Sequence, residues 1–320
     1  MSFTSEIKKE LTQQELKPCC RKAVCSALVR LNGSIHITNG KPVVEFSTEN
    51  PATARYLFSQ LKELYQIHPE VMVRKRIRLR KNYVYMLRLV EKIKEILADL
   101  AIMTEHFEKV QGISSALIRK KCCKRAYLRG AFLASGSVNN PDSGSYHLEI
   151  LSAYDDHCEA LCELMNDFQL HAKTIARKKG YVVYVKEGDK IGEFLNIIGA
   201  HPSLLRFENI RIMKDMRNSV NRIVNCETAN LNKTIQAALK QIENIRLIEQ
   251  ELGLEHLNEK LLEVAKLRLQ YPEASLAELG KLLPSGEITK SAVNHRLRKL
   301  NQIAENLRKK LQKQRRDHDG

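Results

Sequence analysis

The sequence predicts an α+β N-terminal domain, in which an αββαββα unit occurs twice, followed by an all-α C-terminal domain. Two observations lead to this prediction. The first is an internal repeat, in which the pair Cys19-Cys20 recurs as Cys122-Cys123 with similar sequence after each pair. The second is that apolar residues recur with helical spacing from Leu231 to a stop at Gly253, and again in three shorter segments after it. The expected domains are 1–208, a helical connector over 209–253, a C-terminal domain over 254–316 and a tail over 317–320.

The two copies of the repeat align in the same order over about 80 residues. "CCRKAVCSALVRLNGSIHI" from Cys19 matches "CCKRAYLRGAFLASGSVNN" from Cys122, and "VEFSTENPATARYLFSQLKEL" resembles "LEILSAYDDHCEALCELMNDF". Helical spacing and alternation then predict the elements of the first copy. These are helices over 21–31, 52–64 and 92–100, strands over 43–46 and 83–89, and two strands with weaker signals near Ile35 and Val71.

The chain of 320 residues is strongly basic, with a net charge of +16 and an isoelectric point near 9.5. Such an excess is typical of proteins that bind a polyanion, because Lys and Arg release the counterions condensed on phosphates. Solubility alone is the alternative. No apolar run has the ~18 residues of a membrane span, and the first residues lack a signal-peptide segment. We therefore expect a cytoplasmic, nucleoid-associated protein with no membrane partner.

Eight cysteines occur in the chain, and without a secretory signal we expect them to be reduced thiols. Neither adjacent pair has the CxxC spacing of a zinc knuckle. Because adjacent residues on a helix point in different directions, at most one member of each pair is expected to join a shared site. Buried small residues are favoured over metal ligands, and we expect no metal and no cofactor.

The C-terminal domain is predicted to contain three helices, of which the second is short and the third is basic. The first covers 258–270 and ends near Tyr271-Pro272. Ser275 is expected to cap the second helix, with Glu278 completing a capping box. Thr289 is expected to cap the third helix after a turn at 284–286. The third helix has a buried stripe of Val293, Leu297, Leu300 and Ala304, and 290–316 contains ten Lys or Arg and one acid.

This combination of caps, turn, stripe and charge is typical of a helix-turn-helix, with a helical hairpin that has a solvated basic face as the alternative. Helical geometry places several polar residues of the third helix away from the stripe. Asn can pair bidentately with adenine and Arg with guanine, which gives roughly 1–3 kcal/mol of discrimination each. Lys290 and Arg296 are better placed for phosphates. The candidate DNA-binding residues are Ser275, Leu276, Thr289, Lys290, Ser291, Asn294, His295, Arg296, Arg298 and Lys299.

Two other segments are candidates for DNA contact. The segment 71–90 has seven basic residues and no acid, and alternation would place Arg74, Arg76, Arg78 and Arg80 on one face of a strand. A protein-interaction surface is the alternative there. The connector contains Arg217, Asn221 and Arg222 within an asparagine-rich stretch, which predicts either DNA contacts or a buried, hydrogen-bonded junction.

The spacing Leu128-x-Gly130-x-x-x-Ala134-x-Gly136 in the second copy resembles the LAGLIDADG homing endonuclease fold. This resemblance implies two motif helices packed at a pseudo-twofold axis, with two four-stranded sheets that form a saddle over DNA. In that family the last acid before the final glycine of each motif is catalytic. The corresponding positions here are Asn32 and Ser135, which cannot supply the anionic oxygens that Mg²⁺ requires. We therefore expect no catalytic residues and no nuclease activity.

Three segments carry a resemblance to the WhiA family of bacterial regulators: "SFTSEIKKEL", "RNSVNRIVNCETANLNKT" and "KSAVNHRLRKL". The resemblance implies a role in cell division and chromosome segregation and, in some bacteria, transcriptional control of sporulation. The favoured function is a sequence-specific regulator that binds double-stranded DNA. The alternative is a chromosome-organising protein with broad DNA binding, whose N-terminal half docks protein partners. The oligomeric state is left open.

Overall fold

The first half of the N-terminal unit forms a helix-strand-strand repeat that begins after a short leading helix. The computed structural model describes residues 2–38, 40–75 and 83–318, and its chain divides into the units Met1–Asp215 and Met216–Gly320. The elements of the first half are α1 (Phe3–Leu11), α2 (Pro18–Asn32), β1 (Gly33–Thr38), β2 (Lys41–Thr48), α3 (Pro51–Tyr65), β3 (Glu70–Lys75), β4 (Tyr83–Leu89) and α4 (Ile93–Asp99). This order confirms the predicted αββαββα unit.

The second half repeats this order. Its elements are α5 (Lys121–Ser135), β5 (Gly136–Val138), β6 (Leu148–Ser152), α6 (Asp155–Asn166), β7 (Lys173–Arg177), β8 (Gly180–Val185) and α7 (Gly188–Ile198). Each half contributes one four-stranded antiparallel sheet, with strand orders β1-β2-β4-β3 and β5-β6-β8-β7. The identical strand orders confirm the duplication that the two cysteine pairs indicate.

Helices α2 and α5 pack against each other in the core of the N-terminal unit. Most of their apolar residues are buried, and the core cluster extends over both sheets. Gly130 lies where the helices approach most closely: a Cβ added there would lie 2.6 Å from the Val24 carbonyl oxygen and 2.9 Å from the Cβ of Ala27. Ala27 is the counterpart of Gly130 in the first copy of the repeat. Small residues at these matching positions therefore allow the two helices to touch.

The cysteine pairs correct one sequence prediction. Cys19-Cys20 and Cys122-Cys123 occupy the first turns of α2 and α5, and the Cys123 thiol lies 3.7 Å from the Cys19 carbonyl oxygen. The four sulfurs all lie within 4.8 Å of one another. The expectation that at most one member of each pair could join a shared site is wrong, because the two helix starts lie beside each other and bring both pairs together.

The connector also differs from one of its two predicted forms. Helix α8 runs without interruption over His201–Glu251. The asparagine-rich stretch is exposed throughout, so the buried, hydrogen-bonded junction is not observed. A helix can carry asparagines at exposed positions, because their low helix propensity costs only tenths of a kcal/mol each. The exposed asparagines are Asn218, Asn221, Asn225, Asn230 and Asn232.

The C-terminal unit is all-α, as predicted. After a single 3₁₀ turn (Leu254–His256) it contains α9 (Glu259–Gln270), α10 (Leu276–Lys281) and α11 (Lys290–His318). Its core joins these helices to the end of α8 through Ile245 and Ile248, which are fully buried. The predicted stripe of α11 is confirmed, with Val293, Leu297, Leu300 and Ala304 at most 1% exposed. Across the described part of the chain, no helix is both long and apolar enough to cross a membrane.

Candidate nucleic-acid interface

Side-chain caps define where α10 and α11 begin. The Ser275 hydroxyl accepts from the Glu278 N–H at 3.3 Å, and the Glu278 carboxylate accepts from the Ser275 N–H at 2.7 Å. This is the predicted capping box. At the start of α11, the Thr289 hydroxyl accepts from the Ala292 N–H at 3.3 Å. Both caps are exposed, so both helix starts lie at the surface of the C-terminal unit.

The turn between α10 and α11 is held against α10 by its backbone. The Ile288 N–H donates to the Gly280 carbonyl oxygen at 3.0 Å. A Cβ added to Gly280 would lie 2.4 Å from the Ile288 carbonyl oxygen, so a larger residue would push the turn away. Gly280 therefore positions the start of α11. Sequence reasoning missed it, although a glycine inside a short capped helix is a signal of close backbone approach.

The first turns of α11 present most of the predicted residues to solvent. Asn294 is half-buried at the edge of this surface. Over the described residues, no ion pair involves Arg298. The guanidinium is therefore available to an external partner. The exposed members of the predicted set are Ser275, Thr289, Lys290, Ser291, His295, Arg298 and Lys299.

Two predicted residues lie elsewhere. Leu276 is half-buried and packs against the core of the C-terminal unit. Arg296 is directed toward α9, where its Nη1 donates to the Lys260 carbonyl oxygen at 3.5 Å and lies 4.0 Å from a carboxylate oxygen of Glu263. Both residues help to hold α10 and α11 in place.

A buried arginine supports the start of α10. Arg268 is 2% exposed, and its Nη1 donates to the carbonyl oxygens of Ala274 at 2.7 Å and Pro272 at 3.3 Å. Burial lowers the pKa of Arg268. These bonds fix the segment that precedes the Ser275 cap. Sequence reasoning missed Arg268. The available signal was its position on the inward face of α9, seven residues after Leu261, where helical periodicity predicts an apolar residue.

The two motif positions of the N-terminal unit make hydrogen bonds to backbone. The Asn32 side-chain amide donates to the Ala134 carbonyl oxygen at 3.1 Å, and the Ser135 hydroxyl donates to the Leu151 carbonyl oxygen at 2.6 Å. Asn32 also lines a cleft of ≈ 1190 Å³, together with Lys8, Lys9 and Arg55 among others. A carboxylate at either position could not donate such a bond.

The sheets and α8 carry the other predicted contacts. Arg74 is exposed on β3, whereas Arg76, Arg78 and Arg80 lie outside the described residues. Arg217, Asn221 and Arg222 are all exposed on α8, and the first two are one helical turn apart.

Three family models match the chain in order. They are the WhiA N-terminal LAGLIDADG-like domain over residues 18–103, the WhiA LAGLIDADG-like domain over 124–217 and the WhiA C-terminal HTH domain over 220–304. Among solved structures, full-length DUF199/WhiA from Thermatoga maritima has a TM-score of 0.59 and 28% identity, covering 96% of this chain and 99% of that chain.

Fold and site together define the class: a protein with a LAGLIDADG-like domain followed by a helix-turn-helix domain. Relatives from Bacillus pumilus (strain SAFR-032) and Bacillus cereus (strain B4264), each named "Probable cell division protein WhiA", are 59% and 60% identical over 308 residues, covering 96% of this chain and 98% of theirs. The chain belongs to the WhiA family.

Proposed function

We propose that this chain is a non-catalytic protein that binds double-stranded DNA and acts as a sequence-specific transcriptional regulator in cell division and chromosome segregation. The observation that carries the proposal is the exposed polar start of α11. This start is capped by the Thr289 side chain, and the opposite face of the same helix is a buried apolar stripe. In helix-turn-helix proteins this part of the second helix reads base edges in the major groove. The cell-division role is taken from the names of the relatives.

The proposed division of labour follows from exposure and charge. Arg298, Asn294, His295 and Ser291 are placed for base edges, because they lie off the buried stripe in the first turns of α11. Lys290 and Lys299 are exposed cations suited to phosphates, and the charge of Lys290, the first residue of α11, adds to the positive end of the helix dipole. Leu276 and Arg296 support the module from within in this proposal.

A second DNA contact surface is part of the proposal, since one helix-turn-helix usually needs a dimer or a further contact for useful specificity. The candidates are Arg74 on β3 and the exposed Arg217, Asn221 and Arg222 on α8. We assign 209–253 to the connector between the DNA-reading module at 254–316 and the LAGLIDADG-like domain at 1–208. Binding to chromosomal DNA would place the protein on the nucleoid.

The absence of nuclease activity is proposed from the two motif positions. Asn32 and Ser135 are neutral hydrogen-bond donors to backbone carbonyls, and neither can bind a divalent ion as a carboxylate does. In this proposal the motif helices α2 and α5 have a packing role, and their close contact at Gly130 supports that role.

We expect no cleavage of supercoiled plasmid by the full chain with Mg²⁺ or Mn²⁺, because the metal-binding carboxylates of the motif are replaced. Gel analysis after long incubation checks this. A positive control is a commercial restriction enzyme in the same buffer. Linear plasmid that depends on the protein and on metal, and that persists through further purification, would contradict the proposal.

The regulator proposal is tested by genome-wide DNA occupancy of the full chain beside its Arg298→Ala/Asn294→Ala variant. Point changes are preferable to removal of the C-terminal domain, because truncation would expose Ile245 and Ile248 of α8. Discrete peaks that disappear in the variant, with equal protein levels, are the expected result. Peaks that remain unchanged would refute sequence reading by α11.

A second candidate is a chromosome-organising protein whose N-terminal half docks partners. It is favoured by exposed apolar residues on the outer strands of the first sheet, where Ile37 on β1 is 80% exposed and Val71 and Val73 on β3 are more than half exposed. Broad occupancy that survives the double variant would support this function over the first.

A further inference from the structure

Four cysteine side chains from the two halves of the N-terminal unit form one cluster. The Sγ atoms are 4.0 Å apart within Cys19-Cys20 and 4.0 Å apart within Cys122-Cys123, and all four lie within 4.8 Å of one another. Cys20 and Cys123 are buried, whereas Cys19 and Cys122 are half-buried. The pairs are separated by a hundred residues of sequence, so only the packing of α2 on α5 brings them together.

The spacing of the sulfurs fits a single tetrahedral ion. Zinc–thiolate bonds of about 2.3 Å place the sulfurs of a tetrathiolate site about 3.8 Å apart. The observed distances of 4.0 Å within each pair, and of at most 4.8 Å within the cluster, require only small side-chain rotations to reach this arrangement. Iron–sulfur clusters hold their cysteine sulfurs farther apart, because several metal ions lie between them.

The backbone at the cluster favours negative charge. Cys19 and Cys20 are the second and third residues of α2, and Cys122 and Cys123 are the second and third residues of α5. The first N–H groups of a helix have no partner within the helix, and its N-terminal end carries partial positive charge. Two such ends meet at this cluster. A zinc ion with four thiolates has a net charge of −2, and these two helix ends, each equivalent to about half a positive charge, offset part of it.

A divalent cation bound at this cluster would displace the thiol protons, so the four cysteines would bind it as thiolates.

We propose that Cys19, Cys20, Cys122 and Cys123 bind one zinc ion in a structural tetrathiolate site. The ion joins the starts of the two motif helices and thus cross-links the two copies of the repeat. It closes a long loop of the chain, which is the case in which a clip of this kind stabilises a fold most. The site is independent of the proposed DNA-binding residues, all of which lie on other elements.

The test begins with the reduced full chain and two metal probes. Elemental analysis of protein purified without chelator is expected to find about one zinc per chain. Cobalt titrated into the metal-free chain is expected to give one equivalent of tetrahedral thiolate–cobalt absorption, which zinc then displaces. A metal-free chain that gives no such absorption, or that is isolated with these four cysteines in disulfides, would overturn the proposal.

Matched variants assign the binding to the cluster. Cys19→Ser/Cys122→Ser removes the two half-buried members, and Cys162→Ser/Cys226→Ser removes two thiols elsewhere. The first variant is expected to lose at least ~100-fold in cobalt affinity, and the second to bind as the parent does. Cobalt binding kept by the first variant, or lost equally by the second, would refute the assignment.

A thermal measurement separates a structural ion from an adventitious one. Zinc is expected to raise the melting temperature of the parent chain by about 5–10 °C, because it binds the folded state in preference to the unfolded one. The Cys19→Ser/Cys122→Ser variant should show no rise, while circular dichroism reports whether it is folded. If that variant does not fold, the cobalt spectrum of the parent still decides the question. If one equivalent of zinc leaves the melting temperature of the parent chain unchanged, the proposed structural role of the ion is wrong.

Discussion

Replacement of Arg298 by Ala is expected to weaken binding to the preferred DNA sequence by about 10–100-fold, and to change binding to unrelated DNA by less than about 3-fold. A bidentate contact from Arg to guanine discriminates between bases, whereas a contact to phosphate weakens binding to all sequences alike. Arg298 is exposed on the face of α11 opposite the buried Leu297 and Leu300, which places it for the first kind of contact.

The measurement is a titration of the full chain with a duplex taken from an occupancy peak and with a scrambled duplex of the same length, at one fixed salt concentration. Asn294→Ala is expected to behave in the same way, with a smaller effect because Asn294 is half-buried. The matched control is Lys309→Ala. Lys309 is exposed on the same helix and carries the same charge, but it lies about 16 Å farther along the helix.

The control variant should lose little affinity, and equally for both duplexes. Equal loss of affinity on both duplexes for Arg298→Ala would reassign this residue to phosphate contact. An effect of Lys309→Ala as large and as selective as that of Arg298→Ala would remove the base-reading role from the start of α11.

Gly130→Ala is expected to destabilise the N-terminal unit by about 1–3 kcal/mol, which lowers its melting temperature by roughly 2–10 °C. A loss of stability would be informative, because replacement of Gly by Ala within a helix ordinarily stabilises a protein by about 0.5–1 kcal/mol. Here the new methyl group would lie 2.6 Å from the Val24 carbonyl oxygen and 2.9 Å from the Cβ of Ala27. The helices α2 and α5 would have to separate, and the core between the two halves would lose contact.

Scanning calorimetry of the full chain measures this effect, with Gly144→Ala as the control. A Cβ at Gly144 would meet nothing within 4 Å, so this change should leave the melting temperature within about 1–2 °C of the parent. The double variant Ala27→Gly/Gly130→Ala should recover part of the loss, since it removes the clash with Ala27 but keeps the one with Val24. A Gly130→Ala chain as stable as the parent would show that the close approach of the helices is not required.

The C-terminal module could be predicted in detail because its signals are local. The capping box at Ser275, the cap at Thr289 and the stripe from Val293 to Ala304 each depend on residues within a few turns of one another. Local hydrogen bonding and helical periodicity specify such features through residues that are close in the chain. Arg268 is the exception, since its burial depends on how α9 packs against the segment before α10.

The connector shows where local propensity was a poor guide. The asparagine-rich stretch predicted either DNA contacts or a buried, hydrogen-bonded junction, and α8 runs through it as an exposed helix, which excludes the buried junction. Propensity differences of a few tenths of a kcal/mol per residue do not interrupt a helix whose two ends are held by packed cores. Those cores begin with residues such as Phe207 at one end and Ile245 at the other.

Patterns in the sequence were sufficient to predict the duplication, the order of helices and strands, the caps of the C-terminal helices and the neutral residues at both motif positions. Each of these is carried by residues that are near in the chain or by the comparison of one copy with the other. Three features became visible only in the folded chain: the approach of Gly130 to Val24, the hydrogen bonds from Asn32 and Ser135 to backbone carbonyls, and the joining of the two cysteine pairs in one cluster. These features require two helices from distant parts of the chain to touch, and a local pattern cannot specify which faces of two helices meet or how closely they approach.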